Sequence, residues 1–519
     1  MSRAMASTLD AQVVALAARD RELAAGMLRE AIRIPADFVE RPVAQGGDPR
    51  CGLSNHEGPR LEYLRRMVVE AGAVRAQADV GYDAFGNLVW TLEDPGDGMA
   101  VAEKRVVMLD GHCDTVRALR PAWREKIGPG IDAYLGLTDP ARVDRAWLRR
   151  ELSGLPPDAA WEHLVFGRGA ADQLAGVVAQ IAACRILREL TPGGALRGVI
   201  VRAYATVAEE DNDGGGPMHV MRRQLPGAPP ERIPDVVVLT EPTGDVGGGA
   251  LGIYRGQRGR MQIEVRVTGR SCHGAMPWEG LNPLEHGGAI VAEAARRYDR
   301  REGFLDHAFL GHGTRTASFA TLETPSDCAV PERFTVRFDR RLTVGETPER
   351  ALADIEALET VRAARQAGLS VEVVVPTYDQ PTWKGATPGN PQIYPGWLTP
   401  EEHPALLAAL ATYRAVITPH VSADGLGVPI PRQPRLSRWI FSTDGVGIPV
   451  PADDRSLAVP DRKAWVTSGA VRHPAMFGLG PGLEQNAHRV GEFVDLRELA
   501  HAVAFLARFP SLFAAGAGG

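Results

Sequence analysis

The chain has 519 residues, with 58 basic and 64 acidic side chains and a formal net charge of −6 at pH 7. A mildly acidic chain without a basic tract lacks the electrostatic features of a protein that binds nucleic acid or anionic membranes. Its hydrophobic fraction of 44% and charged fraction of 24% are typical of globular proteins, which excludes a disordered, collagen-like or coiled-coil chain.

Helical and strand-like segments alternate in the first half of the chain. Apolar residues recur at helical spacing over 16–34, 61–71 and 172–190. Short β-branched runs lie at 106–109, 199–207 and 236–239. This alternation predicts an α/β fold, in which helices flank a mostly parallel sheet.

The pattern changes after a glycine-rich stretch at 244–252. It then predicts a half-solvated strand at 261–268, a helix at 283–297, strands at 314–322 and 334–338, a helix at 348–365 and a strand at 369–375. The order βαββαβ is that of a ferredoxin-like unit. We therefore predict a lid or dimerisation domain at 250–378, inserted into a catalytic domain formed by 1–249 and 379–519. The catalytic domain resumes with a strand near 475–478 and a helix at 496–509.

Acidic and histidine residues collect near the ends of the predicted strands. The clusters are His112 with Asp114, Asp172, Glu209 with Glu210, Glu241, and His488. Three of them directly follow strand-like runs, and the other two lie in adjoining loops. Because open α/β sheets bind ligands outside the carboxyl ends of their strands, we expect these clusters to converge. Each cluster alone is typical of an ordinary turn, but histidine and carboxylates together suit zinc, manganese or cobalt.

With these clusters the sequence resembles a family of two-metal hydrolases. The resemblance is carried by HCDTV, GRGAADQLAG, the Glu209-Glu210 pair, Glu241-Pro-Thr, and AHxxxE from Ala487 to Glu492. The family includes acetylornithine deacetylase, succinyl-diaminopimelate desuccinylase, aminoacylase and carboxypeptidase G. The segments YRGQRGRMQI, SCHGAMP, DRRLTVGET and FSTDG are most similar to its YgeY-type hydrolase branch.

The resemblance implies two divalent metal ions per subunit, with zinc expected and cobalt or manganese as alternatives. His112 and Glu241 would hold one ion, and Glu210 and His488 would hold the other. Asp172 would bridge the two ions. Five side chains for two ions would leave coordination positions for water, as a catalytic site requires.

The same resemblance gives roles to four further residues. Glu209 would be the general base, and Asp114 would orient His112 through its second ring nitrogen, unless it only caps a turn. His273 would stabilise the oxyanion in the active site of a partner subunit, unless it is an ordinary surface histidine. Arg341 would bind a substrate carboxylate, with a structural salt bridge as the alternative.

The sequence departs from the family pattern at three places. Cys328 stands where many relatives have an asparagine, which removes one polar contact to substrate. Two additional segments, at about 131–162 with a predicted helix at 142–152 and at about 451–470, should lie near the mouth of the active-site crevice.

We therefore predict a metal-dependent hydrolase that cleaves an amide-type C–N bond in a small carboxylate-bearing substrate. An N-acyl or N-carbamoyl amino acid and a dipeptide are the expected substrates. The alternatives are an aminopeptidase or dipeptidase and, in a different class, a non-catalytic protein that binds metal or ligand. The resemblance also implies a homodimer formed through the inserted domain, with no nucleic-acid or membrane partner.

The sequence also suggests a cellular compartment. It contains neither an apolar run of membrane length nor a basic-then-apolar leader, and its five cysteines form no CxxC pair. Reduced thiols and the absence of such signals predict a cytoplasmic protein.

Overall fold

The computed structural model of the protein describes residues 3–36, 56–210, 214–378, 380–421, 426–449 and 463–516. Residues 451–462 of the second additional segment lie outside these ranges. The helices of the described ranges are α1 (Arg3–Arg19), α2 (Arg21–Arg33), α3 (Gly58–Glu70), α4 (Arg120–Lys126), α5 (Arg145–Glu151), α6 (Ala175–Glu189), α7 (Gly215–His219), α8 (Pro283–Asp299), α9 (Pro348–Glu356), α10 (Glu359–Gln366), α11 (Pro404–Val416) and α12 (Leu496–Ala514).

The strands fall into three groups along the chain. The first group is β1 (Val80–Tyr82), β2 (Leu88–Glu93), β3 (Arg105–His112), β4 (Leu164–Phe166), β5 (Val199–Thr206), β6 (Val236–Leu239) and β7 (Ile253–Gln257). The second is β8 (Gly259–Thr268), β9 (Cys272–His273), β10 (Asp306–His307), β11 (Gly311–His312), β12 (Thr314–Glu323), β13 (Ala329–Val330), β14 (Arg333–Leu342) and β15 (Ser370–Val374). The third is β16 (Thr377–Tyr378), β17 (Asn390–Pro391), β18 (Ile393–Tyr394), β19 (Trp397–Leu398), β20 (Leu436–Trp439), β21 (Ile448–Pro449), β22 (Val466–Ser468), β23 (Val471–His473), β24 (Ala475–Gly478) and β25 (Phe493–Asp495).

The largest sheet has a parallel centre. Its strand order is β1-β2-β5-β3-β6-β24-β7-β19, and β20 also pairs with β7. Strands β5, β3, β6 and β24 run parallel to one another, whereas the flanking pairs β1–β2, β2–β5, β24–β7 and β7–β19 are antiparallel. The β-branched runs of β3, β5 and β6 are almost wholly buried, as expected where helices cover both faces. The prediction of a helix-flanked, mostly parallel sheet is confirmed for this centre.

Helix α6 lies in the core of the protein. The segment Ala170–Glu189 is long and apolar enough to cross a membrane by length and composition alone, and it is the one such segment in the described ranges. However, 94% of its apolar window is buried inside the protein, where α6 packs against α12 and β3. Burial in the core accounts for the apolar composition of this helix.

A second, smaller sheet follows β7. Its strand order is β12-β14-β8-β15, with every neighbouring pair antiparallel, and α8, α9 and α10 pack against one face. The side-chain oxygens of Asn282 and Thr347 accept hydrogen bonds from first-turn amides and cap α8 and α9. The predicted βαββαβ order is confirmed, although the helix expected at 348–365 is divided into α9 and α10.

The two sheets are connected closely. β7 still pairs within the large sheet, and the small sheet begins two residues later, at Gly259. β18, from the third group of strands, pairs with β8. The division of the chain at 250 and 378 remains a prediction.

Two predicted helices have different bounds in the structure. The helical pattern at 16–34 is divided between α1 and α2. The helix expected to begin at Asp172 begins at Ala175, because Asp172 has a non-helical backbone with φ −115° and ψ 94°. The amide nitrogens of Ala171 and Asp172 donate to Glu492 Oε1. Glu492, which lies outside α6, therefore accepts hydrogen bonds from two backbone amides just before the helix. With this backbone conformation the Asp172 carboxylate can turn toward the strand ends.

Candidate metal centre

Three adjacent strands and two loops bring the predicted clusters together. β5, β3 and β6 are neighbours in the parallel centre, so their carboxyl ends lie at the same edge of the sheet. β3 supplies a histidine at its end, and the turns after β5 and β6 supply glutamates. The residues that converge there are His112, Asp172, Glu209, Glu210, Glu241 and His488.

Asp172 lies between the two histidines. Its Oδ1 atom is 2.9 Å from His112 Nε2, and its Oδ2 atom is 3.1 Å from His488 Nε2. The carboxylate therefore presents one oxygen to each histidine.

One glutamate accompanies each histidine. Glu241 Oε1 is 3.7 Å from His112 Nε2, and Glu210 Oε2 is 2.9 Å from His488 Nε2. The possible ligand atoms form two overlapping groups, within each of which all atoms lie within 4.8 Å of one another: His112 with Asp172 and Glu210, and His112 with Glu209 and Glu241.

These side chains fit divalent cations. Glu209 and Glu241 are 8% and 4% exposed. Burial raises the pKa of both carboxyls well above the usual value, and the nearby charge of Asp172 adds to this effect at Glu241. Buried charges of one sign are normally compensated by a partner or a metal ion. A donor set of imidazole nitrogens and carboxylate oxygens suits zinc, manganese or cobalt.

Asp114 supports the residues at the strand ends. Its Oδ1 and Oδ2 atoms accept hydrogen bonds from the backbone amides of Glu209 and Glu210 at 3.2 and 3.0 Å. His112 Nδ1 lies 3.1 Å from the Asp114 carbonyl oxygen and 3.5 Å from its Oδ1 atom. The main-chain oxygen of Asp114 is therefore closer to the His112 ring than its carboxylate, and the orienting role of that carboxylate remains a prediction. Asp114 connects two neighbouring strand ends.

Two residues at the site have a left-handed backbone. Ala208 has φ 57° and His488 has φ 64°. Residues other than glycine persist in this conformation only where their surroundings hold them. The amide of Ala208 donates to Glu57 Oε1 at 2.8 Å, and Arg168 Nη2 donates to the carbonyl of His488 at 3.2 Å. Buried side chains therefore hold the turns that position Glu209 and His488.

A buried ion pair joins the loops that carry Asp172 and His488. Arg168 Nη1 donates to Glu492 Oε2 at 2.6 Å, and both side chains are at most 1% exposed. Glu492 Oε1 accepts from the amides of Ala171 and Asp172 at 2.9 and 3.1 Å. The sequence motif AHxxxE already contained Glu492, but the function of this glutamate became clear only from its contacts.

A network of uncharged and acidic side chains begins at Gln173, next to the metal-ligand candidate Asp172. Gln173 Nε2 donates to Asp444 Oδ2 at 2.6 Å, Thr240 Oγ1 donates to Gln173 Oε1 at 3.1 Å, and Gln180 Nε2 donates to Thr240 Oγ1 at 2.9 Å. Burial raises the pKa of Asp444 to about 7. A Cβ atom at Gly111 would lie only 2.6 Å from Thr240 Oγ1, so this position accommodates no larger residue. Sequence analysis missed this network, although FSTDG contains Asp444.

The candidates from the small sheet lie outside this cluster. His273 is exposed on β9, its Nδ1 atom accepts from the amide of Ala275 at 3.0 Å, and it contacts no metal-ligand candidate in the described part of the chain. Arg341 donates to Asp339 Oδ2 at 2.9 Å and to Ser442 Oγ at 3.4 Å. Ser442 belongs to the same FSTDG turn as Asp444, so Arg341 faces the part of the chain next to the cluster.

The additional segment at 131–162 packs against the loop that carries His488. Its predicted helix is shorter than expected, as α5 spans Arg145–Glu151. The Nδ2 atom of Asn486 donates to the carbonyl of Ser153 at 3.1 Å, and Leu148 lies against Gly491. The segment therefore adjoins the metal-ligand candidates on the side of His488.

Comparisons with known sequences agree with this architecture. A family model described as a peptidase dimerisation domain matches residues 255–365. YgeY of Escherichia coli is 34% identical over 350 residues, which cover 67% of this chain and 73% of YgeY. A succinyl-diaminopimelate desuccinylase of Cupriavidus necator is 28% identical over 199 residues, or 37% of this chain and 48% of that protein.

Solved structures share the fold over nearly the whole chain. The dipeptidase Dug1p from Saccharomyces cerevisiae has a TM-score of 0.59 at 11% identity, with 98% of this chain and 99% of that chain covered. An M20 family metallo-carboxypeptidase from Sulfolobus solfataricus has a TM-score of 0.58 at 13% identity, covering 94% of this chain and 98% of that chain. At these identities the similarity is one of fold.

Proposed function

The chain belongs to the M20 metallopeptidase family, and we propose from this that it hydrolyses an amide-type C–N bond of a small carboxylate-bearing compound. The expected substrates are N-acyl or N-carbamoyl amino acids and dipeptides. The observation that carries the proposal is the position of Asp172 between His112 and His488, with Glu209 beside the same cluster.

The distances between side chains are compatible with the ligand assignment that the resemblance implies. His112 with Glu241 would hold one ion, Glu210 with His488 would hold the second, and Asp172 would contact both. Bound divalent ions supply Lewis acidity, which polarises a carbonyl group and makes water a stronger acid. We propose zinc, with cobalt or manganese as alternatives, two ions per subunit, and a cytoplasmic enzyme.

Glu209 is the proposed general base. Its Oε2 atom lies 3.9 Å from His112 Nε2, so it is close to the ligands without being required for the ligand set proposed above. Its carboxylate would accept a proton from the attacking water as the new C–O bond forms. It would then donate that proton to the amine nitrogen as the C–N bond breaks, which returns Glu209 to its starting state. A protein that only binds metal needs no such base, so the non-catalytic alternative is not favoured.

The direct test is a hydrolysis screen. Metal-reconstituted protein is incubated with N-acyl amino acids, N-carbamoyl amino acids and dipeptides, and the released amine is measured. Amine release in at least one class, lost on chelation, supports the proposal. No amine release in any class from protein with a full complement of metal would contradict it.

Glu492 is expected to act on the metal site through the backbone that it holds. In Glu492→Gln an oxygen can still accept from the amides of Ala171 and Asp172, but the charge opposite Arg168 is lost. We expect metal affinity to fall by about 10- to 100-fold, as is typical for residues that orient ligands. Competition with a fluorescent chelator measures the affinity. Glu372→Gln, at an exposed position of β15, is the control, and equal affinity in both variants would remove Glu492 from this role.

We also propose a homodimer formed through the small sheet. The dimerisation-domain match covers most of this sheet, and its edge strand β12 is largely exposed, with Phe319 at 49% and Leu322 at 41% exposure. An exposed edge strand with apolar side chains is a surface that a second copy can cover. In such a dimer the exposed His273 could reach the metal centre of the partner subunit.

A mixing experiment tests the shared site. His273→Ala and Glu209→Gln are each expected to be inactive, but each heterodimer would contain one site with both defects and one with neither. After subunit exchange of equal amounts, about a quarter of wild-type activity should return, because half of the dimers have one intact site. Exchange is verified by mass spectrometry of differently labelled subunits. Verified exchange without recovered activity would place His273 outside the partner's site.

A further inference from the structure

A cavity of about 490 Å³ lies at the outer edge of the large sheet. Its floor is one face of β2 and β5, where Val89 pairs with Tyr204 and Thr91 pairs with Arg202. Paired residues of neighbouring strands point to the same side of a sheet, so these four side chains form one surface. One wall comes from the chain after α7 and consists of Gln224, Leu225, Ala228 and Arg232. The cavity has the volume of a small-molecule site, and no residue of the candidate metal centre lines it.

Arg202 brings a positive charge without a counter-ion to this cavity. Its Nη2 atom donates to the Tyr204 hydroxyl at 3.2 Å, and its Nη1 atom donates to Thr91 Oγ1 at 3.4 Å. Its Nε atom is buried and meets no acceptor within the ranges that the structure describes. No carboxylate of those ranges lies within ion-pair distance of Arg202. A partly buried guanidinium cannot lose its proton, so its charge is left for an anion to compensate.

The two hydroxyls beside Arg202 each retain a hydrogen to donate. Arginine can only donate, so Thr91 and Tyr204 act as acceptors toward it. Neither hydroxyl donates to an acceptor in the described part of the chain. Burial raises the pKa of the Tyr204 phenol above its usual value, so this group keeps its proton at neutral pH. Both hydroxyls line the cavity and can donate to a ligand there.

The remaining charged groups of the cavity leave its positive charge uncompensated. Arg232 is exposed and has no polar side-chain partner among the described residues. Asp83 accepts hydrogen bonds through Oδ1 from the backbone amides of residues 85–87. Asp79 Oδ2 accepts from the amide of Ala76 at 2.8 Å. These carboxylates bind local amides, and the groups left for a ligand are mainly guanidinium and hydroxyl donors.

A phosphate monoester matches this set of donors. It carries a charge of about −1.5 to −2 at pH 7 and three acceptor oxygens, which suits two guanidinium groups and two hydroxyls. A carboxylate has one charge and two oxygens, so it would leave more of these donors unused. The cavity also exceeds the size of a phosphate group. Val89, Leu225 and Ala228 give it apolar walls that an organic part of the ligand can contact.

Hydrogen bonds connect the cavity to the turn that carries Glu209. Asp83, which lines the cavity, accepts through Oδ2 from the side-chain amide of Asn87 at 2.8 Å. The Oδ1 atom of Asn87 accepts from the backbone amide of Val207 at 3.1 Å. Val207 is two residues before Glu209 and directly before Ala208, which has the left-handed backbone described above. A ligand that orders the Asp83 loop therefore also affects the support of this turn.

We propose that this cavity is an effector site for a small organic phosphate monoester, whose phosphate group binds Arg202 and Arg232. Its occupation is coupled through Asp83 and Asn87 to the turn that holds the proposed general base. Binding orders the residues that the ligand contacts, so the backbone of this turn should become less mobile. The site is separate from the metal centre, and its existence does not depend on the proposed hydrolysis.

Calorimetry tests the ligand class. Metal-loaded protein is titrated with phenyl phosphate, with benzoate and with inorganic phosphate. Phenyl phosphate should bind more tightly than the other two, because only it combines the phosphate with an organic part. Tighter binding of benzoate would overturn the assignment to phosphate, and equal binding of inorganic phosphate would overturn the organic part of the proposal.

Variants separate this cavity from the metal ions, which can also bind phosphate. Arg202→Gln should weaken the binding of phenyl phosphate by about 10- to 100-fold, as expected for a charged hydrogen bond. The more exposed Arg232→Gln should weaken it by about two- to fivefold. The control is Arg223→Gln, which removes the same charge at an exposed position of the neighbouring helical turn that does not line the cavity. Affinity that is the same in Arg202→Gln and in the control would overturn the site.

A second kind of variant keeps the test decisive if Arg202→Gln does not fold. Ala228→Trp fills the cavity without removing a charge, and its melting temperature shows whether the protein remains folded. We expect it to weaken the binding of phenyl phosphate at least about 10-fold, because the indole occupies the space of the ligand. A folded Ala228→Trp with wild-type affinity would overturn the proposal.

Hydrogen exchange followed by mass spectrometry tests the coupling to the turn. Phenyl phosphate should slow amide exchange in peptides that contain Val207 and Glu209, and this protection should be lost in Arg202→Gln and Ala228→Trp. Both variants keep the metal centre, so protection that persists in them would come from phosphate on the metal ions and would overturn the coupling. Unchanged exchange of these peptides in the wild type with bound ligand would overturn it also. The measurement needs no substrate, and its outcome is therefore independent of the hydrolysis screen.

Discussion

Replacing Glu209 with glutamine should lower the turnover number by at least about 10²-fold, the lower end of the range for general acid–base catalysis. Glutamine has nearly the same size but cannot accept a proton from water. The proposed ligands, among them Asp172 with its contacts to both histidines, remain in place, so metal content should stay nearly unchanged. Turnover is measured by amine release, and metal content by elemental analysis.

The control for this substitution is Glu372→Gln, an exposed glutamate on strand β15, which should retain wild-type turnover. The pattern expected for Glu209→Gln is a loss of turnover at full metal occupancy. Turnover comparable to the wild type would exclude Glu209 from proton transfer. Loss of metal in parallel with activity would instead make Glu209 a ligand. That role is possible, because Glu209 belongs to one of the two groups of possible ligand atoms, with His112 and Glu241.

Removal of metal should abolish activity completely. Dialysis against a chelator, followed by addition of zinc, cobalt or manganese, should remove activity and then restore it, because the proposed mechanism needs an ion to polarise the carbonyl group. The apo-protein should stay folded. Its large hydrophobic core includes Trp90, Leu109 and Phe477, and the small sheet has a separate core around Ile263 and Phe338.

Three measurements decide this prediction. Circular dichroism and thermal unfolding compare the apo- and metal-loaded proteins, and elemental analysis counts the ions. Less than one equivalent of metal in fully active protein would contradict a two-ion site. An apo-protein without a cooperative unfolding transition would mean that the ions are part of the fold itself.

The sequence was most informative where a pattern is local. The β-branched runs of β3, β5 and β6 and the alternation in β8 predicted strands, because burial of one or both faces imposes a period on consecutive residues. Convergence of the ligand candidates could also be expected, because of the geometry of parallel strands. His112 ends β3 and Glu241 follows β6, and in adjacent parallel strands the carboxyl ends lie at the same edge of the sheet.

Contacts between distant parts of the chain were not predictable. Asp172 leaves the helical conformation where its neighbouring amides bind Glu492, from the other end of the sequence. Likewise, the side-chain amide of Gln173 donates to Asp444 from a distant part of the chain. No periodicity or residue spacing in the sequence indicates such pairs, because each pair depends on how separate segments pack together.

The position of β24 in the large sheet has a consequence for the synthesis of the protein. β24 lies between β6 and β7, although the whole small sheet and residues 377–449 are made between β7 and β24. At the usual rate of translation, the edge of β6 that β24 will cover stays open for on the order of ten seconds or more. An open edge of a buried, apolar strand is a template for pairing with other chains. Nascent chains therefore need shielding at β6 until Ala475–Gly478 has left the ribosome, and chains that stop earlier should aggregate.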